Sequence, residues 1–205
     1  MNAAYPPSWY AASAEPLPSQ PALAGDIDAD VCVLGAGYVG LSTALELAEA
    51  GYRVVVLEAE RIGWGASGRN GGQVLPGFGC GEAKLTALVG RDDARKLFDW
   101  SCEGVRLIHE RRERHGIDCD WRTGHTTVAI KPRQVVELQT WQRELENDYD
   151  YPMQWWDREQ LRAQLDSQRY LGGLYDANAG HLHPLKYALG LGRAALAAGV
   201  RIFEH

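Results

Sequence analysis

The order of residues from Asp30 to Glu58 constrains this chain more than any other stretch. Asp30-Val31-Cys32-Val33-Leu34 is an apolar run of the kind that forms a parallel strand covered on both faces. It ends directly in Gly35-Ala36-Gly37-Tyr38-Val39-Gly40, a G-x-G-x-x-G turn that opens a helix. Leu41, Ala44, Leu45 and Ala48 recur at helical spacing, Gly51 marks the stop, and Arg53-Val54-Val55-Val56-Leu57 reads as a second strand. The predicted unit is β-α-β.

Each glycine of the fingerprint sits where a side chain would obstruct. Gly35 permits the tight turn out of the strand, Gly37 lets backbone N–H groups approach a pyrophosphate, and Gly40 lets the helix pack closely on the strand. The phosphates then meet a helix N-terminus, whose unpaired N–H groups and positive dipole end favour anions without a lysine. Glu58 ends the second strand near the ~20-residue spacing expected of an acid that accepts both hydroxyls of an adenosine ribose. A 2′-phosphate is disfavoured beside that carboxylate. Together these features predict a dinucleotide site.

A chain of 205 residues with 45% hydrophobic content can bury a sizeable core. Its net charge of −6, from 21 basic and 27 acidic residues, offers no long-range attraction to nucleic acid or anionic lipid. Cys32, Cys80, Cys102 and Cys119 form no C-x-x-C pair, and Cys32 falls inside the first predicted strand, expected to be buried. Reduced thiols, the absence of an apolar run of about 18 residues and the absence of a basic-then-apolar leader predict a cytoplasmic protein with no membrane partner.

Residues 1–29 read as an arm, with Pro6, Pro7, Pro16, Pro18 and Pro21 opposing regular structure and Tyr5, Trp9 and Tyr10 available to pack on the body. After Glu58 and Ala59 the chain reads Gly63-Trp64-Gly65-Ala66-Ser67-Gly68-Arg69-Asn70-Gly71-Gly72-Gln73, with five glycines between positions 63 and 72. Such a stretch makes neither a stable helix nor a central strand, so its expected use is in backbone contacts lining a flat ligand, the alternative being a flexible surface loop.

Here the sequence resembles the D-amino acid oxidase-like FAD-dependent amine oxidoreductases. The resemblance rests on D-V-C-V-L-G-A-G-Y-V-G-L-S-T-A-L-E-L-A from Asp30, V-V-V-L-E-A from Val54, G-W-G-A-S-G-R-N-G-G-Q from Gly63 and G-H-L-H-P-L-K-Y-A-L-G-L from Gly180. It implies that Gly35, Ala36, Gly37, Tyr38, Val39, Gly40, Glu58 and Ala59 hold the ADP half of FAD. It also implies that Ser67, Arg69, Asn70, Gly71, Gly72 and Gln73 line the isoalloxazine. The implied reaction is oxidation of an amine, such as a glutamylated polyamine, to an imine and then an aldehyde, with oxygen as acceptor. The resemblance runs from about Asp30 to His205, and the family continues for about as many residues again. The chain therefore reads as truncated, and alone it is expected to be inactive.

Further along, Asp92 or Asp93 can cap a long helix through Ile108 that ends at Gly116, with the cations of Arg111 to His115 opposing the helix dipole. Trp121 and His125 to Ile130 look like a hairpin, Pro132 starts a helix to about Glu146, and Asp157 with Gln160 forms a capping box. Trp155 and Trp156 read as core. His181 and His183, at i and i+2 on an expected strand, would share a face as pocket residues for flavin or substrate, and no partner spacing calls for a metal.

The fold class read from all this is α/β: a Rossmann-like FAD-binding βαβ unit with part of an α+β substrate domain. The expected boundaries are 1–29 for the arm, 30–90 for the FAD-binding part, 91–183 for the substrate part, and 184–205 for a helix and strand returning to the first. The alternatives are an NAD-dependent dehydrogenase, disfavoured by the glycine-rich loop where a second helix belongs, and a non-catalytic nucleotide-binding fragment.

Overall fold

The computed structural model describes residues 5–205. It divides into two compact units. Of the described residues, the first gathers 5–72, 109–121 and 182–205, and the second gathers 73–108 and 122–181. The chain thus crosses between units four times, and 73–90 and 109–121 group differently from the expected boundaries.

In the first unit, β1 (Val31–Leu34), β2 (Val54–Glu58) and β7 (Arg201–Glu204) form a parallel sheet in the order β1-β2-β7. Cys32 pairs with Val55, and Val56 with Ile202. Helix α2 (Tyr38–Glu49) buries Leu41, Ala44 and Leu45, and α7 (Pro184–Ala197), almost wholly buried, packs against it. The central strand is β2, whose three valines are buried, whereas Cys32 and Leu34 of β1 are exposed. The expectation of a buried Cys32 is therefore corrected. Among the described residues β1 has one strand neighbour and lies at the sheet edge, where alternate side chains meet solvent.

The arm packs on this unit. Despite its prolines it contains a short helix, α1 (Trp9–Ser13), because Ser8 caps it by accepting the Ala11 N–H. Tyr5 donates to the Ile62 carbonyl, and the Tyr10 ring meets His183 edge-on, while Trp9 stays exposed. Helix α4 (Arg91–Arg114) starts one residue before Asp92, so both aspartates lie in its first turn and not at the cap. Its last turn belongs to the first unit, where Arg111 pairs with Glu46 and Arg114 with Glu49 of α2. Those cations hold two helices together.

In the second unit, β3 (Gln73–Val74), β4 (Arg122–Ala129), β5 (Gln154–Asp157) and β6 (Gly172–His181) form an antiparallel sheet around β6. The strand at 122–129 is not half of a local hairpin: it pairs with β6, His125 opposite Asp176 and Thr127 opposite Leu174. Helix α3 (Glu82–Val89) has no counterpart in the sequence reading. Helix α5 (Pro132–Tyr149) and the upper part of α4 cover a cluster of Phe98, Leu145 and Tyr149. Asp157 and Gln160 form the expected capping box of α6 (Arg158–Gln164). Trp155 and Trp156 lie on β5 and are half-buried, Trp156 stacked on Tyr175.

Candidate cofactor site

The site is built where β1 turns into α2. Gly35 takes φ +94°, a left-handed angle that only glycine adopts freely, and its N–H donates to Leu57 O. A β-carbon on Gly40 would lie 1.9 Å from Gly35 O, so this glycine is what lets the first turn of α2 close over the strand. The first intrahelical bond runs from Leu41 N to Gly37 O. The N–H groups of Val39 and Gly40 precede that bond and have no helical acceptor among the described residues, at a helix end where Val39 is 82% exposed. Such an end receives phosphate.

Two side chains complete it. Glu58 sits at the end of β2, where its Oε2 accepts the Ala36 N–H at 2.6 Å and its Oε1 accepts the Glu60 N–H at 2.9 Å. Among the described residues each oxygen has one donor and keeps acceptor capacity, the requirement for gripping the two hydroxyls of a ribose. Ser67, on a single 3₁₀ turn (Ala66–Gly68), accepts the Tyr38 N–H at 3.0 Å, fastening the glycine-rich loop onto the start of α2.

The rest of that loop is shaped by its own contacts. Asn70 donates to Ala66 O and Ser67 O and accepts the Gly72 N–H, closing a turn. Gly72 has φ +72°, and a β-carbon there would lie 2.1 Å from Leu182 O. Arg69 is exposed, its guanidinium 4.9 Å over the Trp64 ring. Gly71 and Ala59 are exposed beside these residues, and Gln73 begins β3 in the second unit. The first unit thus brings together Gly35 to Gly40, Glu58, Ala59 and Ser67 to Gly72.

The two histidines do not form a pair. His181 ends β6, exposed, in the second unit. His183 is buried in the first as the N-cap of α7: Nδ1 accepts the Lys186 N–H at 3.1 Å and Nε2 meets Ser13 Oγ at 3.0 Å. Burial, and then the Lys186 ammonium, push its pKa below the usual value. Proline at position 184 ends strand geometry, so i, i+2 spacing no longer means a shared face. Among the described residues no three ligating side chains gather for a metal.

Sequence reasoning missed the clamp behind the loop. Glu204 of β7 is 1% exposed; it accepts the N–H groups of Ile62 (2.8 Å) and Gln20 (2.9 Å), and its Oε2 lies 3.0 Å from Arg61 Nε. Arg61 also donates to Leu17 O and covers the Tyr5 ring. An acid directly after the apolar pair Ile202-Phe203 of a short strand was the available signal.

A parallel sheet, a glycine turn into a helix and an acid at the end of the second strand define a dinucleotide-binding unit of the Rossmann kind. The comparisons agree, and the chain belongs to the FAD dependent oxidoreductase family, which matches residues 30–205. FAD is the family's cofactor, and the residues present fit it. The chain is 49% identical over 177 residues to a probable oxidoreductase OrdL of Haemophilus influenzae, covering 86% of this chain and 41% of that protein. It is 43% identical over 197 residues to gamma-glutamylputrescine oxidoreductase of Escherichia coli, covering 96% and 46%. An L-amino acid deaminase structure from Proteus myxofaciens shares the fold at TM-score 0.75 and 24% identity, over 94% of this chain and 41% of that one. The chain spans under half the length of these relatives. Among the described residues no helix is long and apolar enough to cross a membrane.

Proposed function

We propose that this chain provides the FAD-binding part of an amine oxidoreductase acting on a glutamylated polyamine or a similar amino compound, with oxygen as the final acceptor. The observation that carries the reading is the Gly35–Gly40 turn with Glu58 seated against it, on a chain 43% identical to gamma-glutamylputrescine oxidoreductase. When bound, FAD would supply the hydride acceptor for oxidation of the carbon bearing an uncharged amine to an imine, which water would hydrolyse. The chain's own residues bind and orient. The N–H groups opening α2 take the pyrophosphate, Glu58 takes the ribose hydroxyls, and Ser67 to Gly72 present backbone along the ring. Arg69 offers a cation beside that loop, and no proton-transfer role is assigned to any residue. Four free thiols support a reducing, cytoplasmic setting.

The test is a titration of this chain with FAD, followed by peroxide release from the full-length protein that carries it, with gamma-glutamylputrescine, putrescine and glycine. A flavin spectrum with peroxide from the glutamylated amine alone supports the reading, and flavin binding with peroxide from none of them overturns the activity. A second reading, a nucleotide-binding module without turnover, is favoured by the chain's coverage of only 41% and 46% of those relatives. Stoichiometric FAD with no turnover on any amine supports that one.

A further inference from the structure

Ile62 stands directly before the glycine-rich loop and is 1% exposed. Both of its backbone polar groups are held from outside that loop. Its N–H donates to Glu204 Oε1 at 2.8 Å, and its carbonyl accepts the Tyr5 hydroxyl at 2.8 Å. That carbonyl lies in one peptide plane with the Gly63 N–H, which donates to the Ala36 carbonyl at 2.9 Å. The Ala36 carbonyl lies in one plane with the Gly37 N–H, which has no acceptor among the described residues. Two rigid planes thus join a side chain of the arm to an N–H of the glycine turn, one of those that a pyrophosphate approaches.

The surroundings keep this chain of bonds in place. Pro6 and Pro7 directly follow Tyr5 and restrict the backbone that carries it. The Arg61 guanidinium lies 5.3 Å from the Tyr5 ring centroid and donates to Leu17 O, which ties the arm to the loop's entry a second time. Burial pushes the Tyr5 pKa up to about 12, against the lowering pull of Arg61, so the hydroxyl remains a donor through the ordinary pH range. Ala36 is fully buried, and a β-carbon on Gly63 would lie 2.8 Å from Ala188 Cβ, so α7 leaves the plane between Ile62 and Gly63 little freedom to tilt. In such low-dielectric surroundings successive hydrogen-bonded amides strengthen one another, by roughly 10–30% per bond.

We propose that Tyr5 is a positioning residue for the cofactor: through the Ile62–Gly63 and Ala36–Gly37 planes its hydroxyl fixes the Gly37 N–H for a diphosphate oxygen. Tyr5 takes this part only if the Gly35–Gly40 turn binds FAD as proposed above, and it lies outside the glycine fingerprint. The ribose end is separate. Glu58 is bonded to the Ala36 N–H, which belongs to the preceding plane, between Gly35 and Ala36. Loss of the Tyr5 bond should therefore be felt at the diphosphate and not at the ribose.

The test is a titration of this chain and its Tyr5→Phe variant with ADP and with adenosine, followed by two-dimensional amide spectra. Tyr5→Phe keeps the ring beside Arg61 and removes only the hydroxyl. ADP is expected to bind the variant about threefold to tenfold more weakly, the worth of one neutral hydrogen bond, and adenosine to bind both proteins within about twofold. Without ligand, the Gly63 and Gly37 amide protons should both move upfield in the variant. Ser13→Ala, which cuts the arm's bond to His183 and leaves the Ile62–Gly63 plane alone, should bind ADP as the parent does. Equal losses for ADP and adenosine, an equal loss in Ser13→Ala, or a Gly37 amide that stays in place would overturn the role of Tyr5. Unchanged ADP affinity in Tyr5→Phe overturns it and leaves the FAD reading standing, whereas a parent chain that binds neither ADP nor FAD removes both.

Discussion

Glu58 and Ala36 are joined by a 2.6 Å bond between carboxylate and backbone N–H, which sets the acid against the glycine turn before any nucleotide is considered. Among the described residues the same carboxylate keeps acceptor capacity on both oxygens. Glu58→Ala is therefore expected to weaken FAD by about 1.5–3 kcal/mol, the worth of a hydrogen bond to a charged group, or tenfold and more. Fluorescence titration of both proteins measures it, and equal affinity would remove the ribose role.

The loop separates two glycines that look alike in sequence. Gly72 carries the left-handed angle and the 2.1 Å approach to Leu182 O, so Gly72→Val should lower stability by at least ~3 kcal/mol from strain and collision. Gly71→Val should instead leave the apoprotein folded and reduce FAD binding. A denaturation midpoint for each variant, with the flavin absorbance beside it, distinguishes these outcomes.

Glu204→Ala removes an acid that is 1% exposed behind the loop and leaves Arg61, 9% exposed, without it. Breaking a buried pair from one side costs about 3–5 kcal/mol. Urea denaturation should show a loss of that size, and a change under about 1 kcal/mol would mean that Arg61 swings out to water.

His183 gives the fold a pH dependence with a definite sign. Its folded pKa lies below the ordinary histidine value, held down by burial and by Lys186. Above the unfolded value of about 6.5 both states are neutral and the residue contributes no slope; below it the unfolded chain takes a proton first and stability falls until the folded pKa is reached. His109 is depressed in the same direction by burial and Arg112. Thermal midpoints between about pH 7.5 and 5.5 should fall on acidification, and less steeply in His183→Asn, which can still cap α7.

The βαβ unit was legible because its glycines, apolar runs and closing acid are all local, and β1, α2 and β2 fall at Val31, Tyr38 and Val54 as the pattern requires. What local pattern does not encode is the partner of a strand. The run at 122–129 alternates like half of a hairpin, yet its ladder is with 172–181, and α3 has too weak an apolar stripe to announce itself. Cys32 misled for the same reason: an apolar run reads as buried whether it lies at the centre of a sheet or at its edge. The glycine-rich loop was legible as a non-helical stretch, though not the bonds by which Ser67 and Asn70 shape it, whereas His183 was misplaced because Pro184 turns the chain into a helix directly after it.

The sheet order has a consequence for how the first unit forms. β2 is flanked on one side by β1, a near neighbour in sequence, but on the other by β7, so Val55 waits for Arg201 and Glu58 for Glu204. The arm waits too, since Gln20 bonds to Glu204. Closing so long a loop carries an entropic barrier before any contact rewards it. During synthesis at ~5–20 residues per second, the valines of β2 and the apolar face of α2 therefore remain partly uncovered for several seconds or more, until β7 has emerged.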